Sequence, residues 1–451
     1  MQWLQVPLRD LINNYKGRSS CGMWCGTPIQ PQQPTSDGYT ETVVPKRIWI
    51  INQFANTPDV PGHTRQYEYG QHLAKLGYEV TVFASDYNLT ERRYRRLRFP
   101  MFWSSECLEL LRWRWLFASP YQHNNWRRHL NLLTFNVSLL VQMLILPRPD
   151  LVIGSSPQLP ATWLAMRAAK LRGARFIFEV RDLWPQVLID LGGCAPNSKM
   201  VRFLRKLESS LYCNSDCVIV LAKGSIEYVR QRGARSICHL PNGPDLNSIT
   251  ADLCQEQAKD KFSVDRSRFC LMYTGAHGEA NALDGIINAA RLLEREYPNR
   301  FQILLVGDGP EKQKLQSLAH DVACVEFRAP VPKRDIPDLL AAADGLILTL
   351  RDIPLFKYSV SPNKLYDYYA AMRPVIVSVG GAVNDEVETL SLGFTAEPES
   401  PRQLADAIVK LSLLPNNERE AMGARALQLV QRVYSRQAVL HTLTKIVGDL
   451  S

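Results

Sequence analysis

A short run near residue 361 combines a hydroxyl, two lysines and a carboxylate at spacings that suit a phosphorylated ligand. Ser361 is predicted to cap a helix, since its oxygen can accept from the free N–H groups of the first turn, and the proline after it fits the first helical position. A helix start attracts anions, and Lys357 and Lys364 add full positive charges beside it. Asp367 lies one turn after Asn363 and could accept a hydrogen bond from a ribose hydroxyl. The pattern suits a diphosphate joined to a sugar, although an ordinary capped helix before a core strand explains it equally well.

Five other short motifs accompany this run along the chain. They are Pro61–Arg65, Arg181–Pro185, Pro241–Gly243, Tyr273–Gly278 and Val306–Pro310. Together with the run at Ser361–Tyr369 they resemble, in the same order, the motifs of glycosyltransferase family 4, and the resemblance covers about residues 46 to 450. It implies a retaining transferase with the GT-B fold. The nearest resemblance is to the bacterial enzymes that build O-antigen, capsule and exopolysaccharide.

Short apolar runs alternate with helical patterns, which predicts an α/β protein with two Rossmann-like, doubly wound parallel-sheet domains and a cleft between them. Strands are predicted at Arg47–Ile51 and Glu79–Ala84 in the first domain and at Cys270–Thr274 in the second. The predicted domain plan is a disordered extension at 1–45, a first domain at 46–243, a linker at 244–267, a second domain at 268–435 and a last helix at 436–451. The resemblance implies that this helix returns to the first domain.

The resemblance places the donor in the second domain. Lys357 and Lys364 are implied to hold its diphosphate and Asp367 its ribose, with no cofactor and no obligate metal ion. Glycines let the backbone approach phosphates closely because no Cβ intervenes. The other donor-binding candidates are Ser361, Asn363, Gly275, His277, Gly278, Gly307, Gly309 and Asn242. A base read by the backbone fits a UDP donor, while GDP and ADP stay open.

The chain departs from the family pattern at two places. Many members carry two glutamates eight positions apart; Asp367 takes the second place, but the first falls at Ser359, which leaves the contact with the donor sugar open. Many members also place an arginine and a lysine after the first strand of the second domain. The segment Glu279–Asp284 has neither, so Lys357 and Lys364 are expected to take that role.

Candidates for the chemical step follow two strands of the first domain. Gly62, His63 and Arg65 come after the first strand, where the resemblance implies that acceptor and donor phosphate meet. His63 could contact a phosphate or be a surface residue. Asp182 follows the strand Phe176–Val180 and could hydrogen-bond the donor sugar, accept the acceptor's proton, or pair with the arginine before it. Front-face attack would pass the proton to the leaving phosphate, so a protein base is not required.

An insertion at about residues 90–147 combines arginines and aromatics with an apolar run at Leu132–Leu146. The run is short for a bilayer span, which needs roughly 20 residues. Basic and aromatic residues beside an apolar helix suit an anionic membrane surface, and the family's polyprenyl-diphosphate-linked acceptors favour it. The residues concerned include Arg112, Trp113, Arg114, Trp115, Trp126, Arg127 and Arg128. A core helix with a solvated basic face is the alternative, and nucleic acid is not expected.

Composition is consistent with this interpretation but decides little. The chain is 46% hydrophobic and 22% charged, so it can form packed cores, and its net charge of +9 favours an anionic partner. The ten cysteines are scattered without a Cys-x-x-Cys pair, which predicts reduced thiols and no metal site. No signal peptide is recognisable. We expect a cytoplasmic protein, peripheral at the inner face of the cell membrane.

The resulting hypothesis is a retaining glycosyltransferase of hexosyltransferase type. It would move a sugar from a UDP-sugar to a lipid-linked saccharide in cell-surface polysaccharide biosynthesis. The alternatives are a GT-B sugar-nucleotide epimerase, which needs no acceptor, and a non-catalytic subunit that binds sugar nucleotides. Release of UDP only when an acceptor is present would separate the transferase from both.

Overall fold

A computed structural model describes residues 46–59, 64–88, 91–98, 101–122, 126–190, 192–246, 249 and 251–450. The extension expected at 1–45 and two of the site candidates, Gly62 and His63, lie outside the described residues. The described chain forms two lobes, each a largely parallel sheet covered by helices. The predicted α/β class with two doubly wound sheets is confirmed.

The first lobe is built on an eight-stranded sheet. Its strands are β1 Arg47–Ile51, β2 Glu79–Ser85, β5 Trp103–Leu108, β6 Leu111–Leu116, β7 Leu151–Ser155, β8 Arg175–Val180, β9 Cys217–Val220 and β10 Ile237–His239, with a separate pair of β3 Tyr87–Asn88 and β4 Arg93–Tyr94. The order is β10-β9-β8-β7-β1-β2-β6-β5, and neighbours are parallel except for β5, which is antiparallel to β6.

Helices cover both faces of this sheet. They are α1 Arg65–Lys75, α2 Trp126–Ile145, α3 Leu159–Leu171, α4 Gln186–Asp190, α5 Lys199–Asn214 and α6 Ser225–Gln231. In β1, Ile48 and Ile50 pack on the side of α1, whereas Trp49 and Ile51 pack on the side of α2 and α3. Successive residues therefore enter opposite cores, as the pleat of a strand requires.

The second lobe repeats the plan with a six-stranded, all-parallel sheet. Its strands are β11 Phe269–Thr274, β12 Phe301–Val306, β13 Val325–Arg328, β14 Gly345–Thr349, β15 Val375–Ser378 and β16 Gly393–Thr395, in the order β13-β12-β11-β14-β15-β16. The later helices are α7 Gln255–Lys261, α8 Leu283–Glu296, α9 Lys312–Leu318, α10 Ile336–Ala341, α11 Pro354–Tyr358, α12 Asn363–Ala370, α13 Gly381–Thr389, α14 Pro401–Leu413, α15 Asn416–Leu429 and α16 Arg436–Leu450. Short 3₁₀ turns lie at Glu279–Asn281 and Lys333–Asp335, and a π-helical turn lies at Val430–Tyr434.

The chain enters the second lobe earlier than the predicted linker at 244–267 implies. Helix α7 buries Ala258 in the second core, and Lys259 forms an ion pair of 3.0 Å with Asp344. Residues 255–261 of that interval are therefore part of the second lobe rather than a free connection. At the other end, α16 returns to the first lobe, where Val439 and Leu443 join the core beside α1.

The basic and aromatic insertion is a β-hairpin followed by a helix, not one surface segment. Strand β6 adds to the sheet and buries Trp113 and Trp115, which are 0% and 3% exposed. The alternation of tryptophan and arginine in β6 is therefore the period of a strand with one buried face. For these two tryptophans the membrane interpretation is wrong. Trp126 is different, because it opens α2 and is 67% exposed.

Candidate active site

The two lobes face each other across a cavity of about 410 Å³. Its first-lobe residues follow the carboxyl ends of strands, which is where parallel α/β sheets hold ligands. The charged and amide side chains of the lining include Arg65, Arg181, Asn242, Lys333, Asn363, Asp367 and Arg436. Four of the predicted site residues thus share one cavity, and Arg181, Lys333 and Arg436 join them although none was a candidate from the sequence. The sequence could have indicated them by position. Arg181 and Lys333 follow the strands β8 and β13, and Arg436 begins the last helix, which returns to the first lobe.

Two glycine loops of the second lobe meet so closely that side chains are excluded. Gly275, after β11, and Gly307, after β12, have φ angles of +142° and +150°. A Cβ on Gly307 would lie 1.9 Å from the carbonyl oxygen of Gly275, and one on Gly309 would lie 2.5 Å from that of His277. These glycines are therefore required by the packing of the loops. Gly278 has an ordinary φ of −111° and is not required in this way.

Lys364 reaches from α12 to the loop at Gly275. Its Nζ donates to Tyr273 Oη at 2.7 Å and to Asn281 Oδ1 at 3.0 Å, and a Cβ on Gly275 would fall 2.9 Å from Nζ. Among the described residues no carboxylate pairs with this ammonium, and burial lowers its pKa to about 8. Lys364 therefore presents a partly desolvated positive charge beside backbone that can approach a phosphate.

His277 lies between the same loops with its ring turned inward. The ring is fully buried against Phe327, and neither of its nitrogens has a partner in the described structure. Burial, followed by the charge of Lys312, lowers its pKa, so the imidazole is neutral at neutral pH. The backbone of His277 connects the loops, since its N–H donates to the carbonyl oxygen of Asp308 at 2.8 Å.

Asp367 stands on α12 in the wall of the cavity. Burial raises its pKa to about 6, and the charge of Lys333 opposes that shift. The carboxylate is therefore mostly ionised at neutral pH and can accept hydrogen bonds from hydroxyl groups. Lys333 lies in the turn after β13, on the same cavity.

The helix predicted to start at Ser361 starts two residues later. Helix α12 begins at Asn363, with Pro362 in the N-cap position, and the Oγ of Ser361 lies 2.6 Å from Tyr366 Oη instead of capping the helix. Asn363 Oδ1 accepts a hydrogen bond of 2.9 Å from Asn242 Nδ2. The amino end of α12 is thereby tied across the cleft to the first lobe.

Lys357, predicted to hold the donor diphosphate beside Lys364, forms an ion pair within the protein. It belongs to α11, where its Nζ lies 2.8 Å from Asp352, and this hydrogen bond is the main reason that its pKa is raised. Helix α11 is packed against the first lobe, because Leu355 joins that core and Tyr358 stacks on Tyr228 with ring centroids 5.9 Å apart. Lys357 is thus part of a bridge between the lobes, and Ser359 follows directly after this helix.

Arg65, predicted on the acceptor and membrane side, is instead buried in the first lobe. Its Nε donates to Glu179 at 2.7 Å, and its Nη atoms donate to two backbone carbonyls at 2.6 Å and to Asn242 Oδ1 at 3.3 Å. Burial alone would raise the pKa of Glu179, but the charges of Arg65 and then Arg181 outweigh it, so the pKa is lowered. The pair is an ionised internal support under the point where the chain leaves the first lobe.

Asp182 lies exposed after the carboxyl end of β8, close to the cavity but not in its lining. Its backbone N–H donates to Ser156 Oγ at 3.3 Å. In the described part of the chain no ion pair joins Asp182 to Arg181, whose side chain lines the cavity, so the alternative of a structural pair is not formed. The carboxylate of Asp182 is available for another partner.

Arg351 braces the segment that lacks the family's two cations. It follows β14, donates from Nε to the carbonyl oxygen of Glu279 at 3.0 Å, and forms ion pairs with Asp284 at 2.8 Å and Glu399 at 3.3 Å. These carboxylates neutralise Arg351, whereas Lys364, at the Gly275 loop, has no carboxylate partner in the described structure.

Helix α2 carries an apolar stripe on the side away from the sheet. Its inner face is buried, and Asn131 Oδ1 accepts from Gln53, just after β1, at 2.7 Å, which places the amino end of α2 at the cleft edge of the sheet. The outward residues, 38 to 69% exposed, are Trp126, Leu130, Leu133, Val137, Val141 and Leu144. Arg127 lies 5.7 Å from the ring of Trp126 at this end, and Arg128 follows it. Within the described ranges, no helix is both long enough and apolar enough to cross a membrane.

The described residues contain no group of three or more His, Cys, Asp or Glu side chains placed to hold a metal ion. Their cysteines are free thiols, and the closest contact between two of them is 3.5 Å, from Cys217 Sγ to Cys238 Sγ on neighbouring strands.

Comparison with known proteins agrees with the fold. Residues 62–243 match the model of a glycosyl transferase 4-like domain, and residues 268–413 match that of the glycosyl transferases group 1. The chain is 26% identical to WcaI of Escherichia coli (strain K12), provisionally named a colanic acid biosynthesis glycosyl transferase, over 68% of this chain and 77% of that protein. It is 23% identical to WbjE of Pseudomonas aeruginosa, named a probable glycosyltransferase, over 67% and 75% of the two chains. The structure of Anabaena HepE in complex with UDP superposes with a TM-score of 0.63 at 14% identity, over 90% of this chain and 100% of that one.

Two glycosyl transferase domains on two facing Rossmann-like lobes define the class of the protein, a GT-B glycosyltransferase. The chain belongs to glycosyltransferase family 4, as its motifs predicted. The prediction that it is an enzyme of this type is confirmed with it.

Proposed function

We propose that the protein transfers a sugar from a UDP-sugar to a lipid-linked saccharide, with retention of the anomeric configuration, in the synthesis of a cell-surface polysaccharide. The observation that carries the proposal is the position of Lys364, whose ammonium lies beside the glycine loop at Gly275 and has no carboxylate partner among the described residues. The name of WcaI, which refers to colanic acid, supports the polysaccharide, and the UDP in the HepE complex supports the donor.

The donor would lie with its diphosphate between Lys364 and the backbone at Gly275. A diphosphate there compensates the desolvated charge of the lysine, and Asp367 accepts from the ribose on the next turn of α12. The base would lie against the loop of Gly307 and Gly309. Lys312 stiffens this wall, because its Nζ donates to the carbonyl oxygens of Gly307 at 2.7 Å and Arg328 at 3.2 Å.

In the chemical step, the bond from the anomeric carbon to the diphosphate oxygen breaks while an acceptor hydroxyl attacks from the same face. Lys364 and the loop N–H groups stabilise the charge on the leaving diphosphate, and no obligate metal ion or cofactor is proposed. The acceptor proton passes to a leaving phosphate oxygen. Asp182, at the mouth of the cavity, hydrogen-bonds the donor sugar or takes this proton in its place.

The acceptor would reach the cleft from an anionic membrane surface on the cytoplasmic side. The outward stripe of α2 supports this, because it is apolar from Trp126 to Leu144 and its amino end, with Arg127 and Arg128, lies at the cleft edge. Aromatic and basic residues favour the headgroup region of a bilayer, and a helix of this kind lies on the surface without crossing it. A polyprenyl-diphosphate anchor in that bilayer would present its saccharide to the cavity.

The test is the transfer of labelled sugar from UDP-, GDP- and ADP-sugars into a lipid extract of the host's membranes. Label in lipid, lost in Lys364→Ala and Asp367→Ala but kept in the matched control Lys357→Ala, supports the proposal. An epimerised sugar and UDP formed without acceptor would replace it with the epimerase. Binding of UDP-sugar with no product in lipid or water would replace it with a binding subunit.

A further inference from the structure

A second cavity, of about 330 Å³, lies at the opposite edge of the second sheet from the cleft. Residues just before β11, β14 and β15 line it, so it sits at the amino ends of these parallel strands, and α7 and the start of α15 close its sides. Its polar lining includes Gln255, Lys259, Arg268, Asp344, Arg373 and Arg419. The catalytic proposal uses none of them.

Three of the cations in this lining are neutralised within the protein. Lys259 pairs with Asp344 at 3.0 Å, and the carboxylate of Asp344 also accepts from the N–H of Cys270 at 2.8 Å. Arg266 pairs with Asp260 at 2.7 Å and Arg268 with Asp265 at 3.1 Å. These groups hold the walls of the cavity in place.

Arg373 and Arg419 are the two cations of this lining for which the described structure contains no ion pair. Arg373 donates to Gln255 Oε1 at 3.0 Å, its Nε is buried without a partner, and burial lowers its pKa. Arg419 donates to the carbonyl oxygen of Leu414 at 2.8 Å and lies 5.2 Å from the ring of Phe269, which orients its guanidinium. Two oriented guanidinium groups that form no ion pair in the described structure therefore open on one cavity.

We propose that this cavity is a second anion site, which binds a phosphate-bearing small molecule such as a phosphomonoester or a diphosphate. The arginine forks match phosphate oxygens in pairs, and Asn416, the first residue of α15, lines the same cavity. Glu256 and Glu420 are the other carboxylates of the lining; Glu256 lies 3.5 Å from Arg266, and Glu420 is exposed on α15. The sheet separates this site from the cleft, so its ligand would not compete with the donor. The inference does not depend on the proposed function.

Inorganic pyrophosphate is the probe, titrated calorimetrically into the full-length Lys364→Ala protein at constant ionic strength, so that the cleft contributes little. We expect one equivalent to bind, and Arg373→Gln and Arg419→Gln to weaken it about tenfold each. Glu420→Gln should tighten binding, and the matched control Arg295→Gln, an exposed arginine on α8, should leave it unchanged.

Thermal midpoints of all variants show whether they are folded. If Arg373→Gln unfolds, the other two variants still test the site, because Arg419→Gln should weaken pyrophosphate binding and Glu420→Gln should tighten it. The proposal is overturned if pyrophosphate does not bind below about 10 mM. It is equally overturned if binding is the same in the arginine variants as in the Arg295→Gln control.

Discussion

The two walls of the cleft both contain buried charges, but these charges are compensated in opposite ways. On the first-lobe wall, Arg65 and Glu179 bind each other at 2.7 Å. The other hydrogen bonds of Arg65 go to two backbone carbonyls and to the side chain of Asn242. On the second-lobe wall, burial lowers the pKa of Lys364 from 10.5 to about 8 and raises that of Asp367 from 3.8 to about 6. The charges of the first wall are paired with each other in the folded protein, whereas we propose that a bound donor supplies partners for the charges of the second wall.

The difference shows what a buried charge can be used for. When its partner belongs to the protein, the charge holds geometry, as Arg65 holds Asn242, which in turn binds Asn363 across the cleft. When it has no partner, its charged form is disfavoured by about 3 kcal/mol for a shift of this size, and a ligand of opposite charge recovers that free energy. Perturbed groups facing a cleft are therefore the ones to test for binding.

The largest effect is expected from breaking the first wall. Arg65→Ala leaves Glu179 buried without its partner, so the free energy of unfolding should fall by about 3 to 5 kcal/mol. Lys364→Ala removes a charge that burial disfavours and should leave stability unchanged or higher. Urea denaturation of both variants measures this. Equal stabilities of the two variants would contradict the comparison, and Glu179→Gln added to Arg65→Ala should recover part of the loss.

Lys364→Ala, which should not lower stability, should have the largest effect on donor affinity. Lys364→Ala removes the cation beside the diphosphate, and we expect the Kd for a UDP-sugar to rise about 10 to 100-fold. Asp367→Asn should raise it less, since a neutral amide still accepts from the ribose. Lys357→Ala is the control, because its ammonium is already paired with Asp352. Calorimetry would refute the donor position if all three variants bound alike.

The pH dependence follows from the same two groups. Lys364 is charged below its pKa of about 8 and Asp367 above its pKa of about 6, so affinity for a UDP-sugar should be highest between these values and fall on either side. Stability has the opposite sign. Because the pKa of Asp367 is raised, its contribution is lost as pH rises from 3.8 to about 6; because that of Lys364 is lowered, its penalty is relieved only from about 8 to 10.5.

Titrations of a UDP-sugar from acid to alkaline pH check this profile, and Asp367→Asn should remove its acid limb while leaving the alkaline limb. A flat profile in the parent protein would show that neither group contacts the donor. Thermal midpoints over the same range test the stability half of the prediction independently of any ligand.

The smallest expected effect is on vesicle binding by helix α2, which has one buried face and one exposed face. Leu139 is buried and Leu133 is 59% exposed, so Leu133→Gln with Val137→Gln should leave stability and donor affinity unchanged. Binding to vesicles that contain anionic lipid should weaken about fivefold, as partial burial of two apolar side chains is lost. Sedimentation with vesicles measures it. Unchanged binding would remove α2 from the membrane proposal.

Local pattern was sufficient for much of the fold and part of the site. Strand β1 was predicted at its observed bounds, and the glycines at 275, 307 and 309 lie in loops that tolerate no side chain. The predictions failed where the residue types of a segment were given more weight than the spacing of its buried residues or the ion-pair partner of a charge. The alternating Trp113 and Trp115 were assigned to a surface although they have the period of a half-buried strand. Lys357 was given the same role as Lys364 although Asp352, five residues before it, is its ion-pair partner.

The sequence by itself determined the class of fold, the family and the positions of the glycine loops that we propose bind a donor, because these depend on short patterns of apolar residues and glycines. Only the tertiary structure decided what each charge does. Arg65 meets Glu179 across 114 positions and Asn242 meets Asn363 across 121, while Lys364 meets no carboxylate in the described structure. Desolvation and Coulomb energy depend on distance in space, so one buried basic residue is paired within its own wall while another has no carboxylate partner in the described structure.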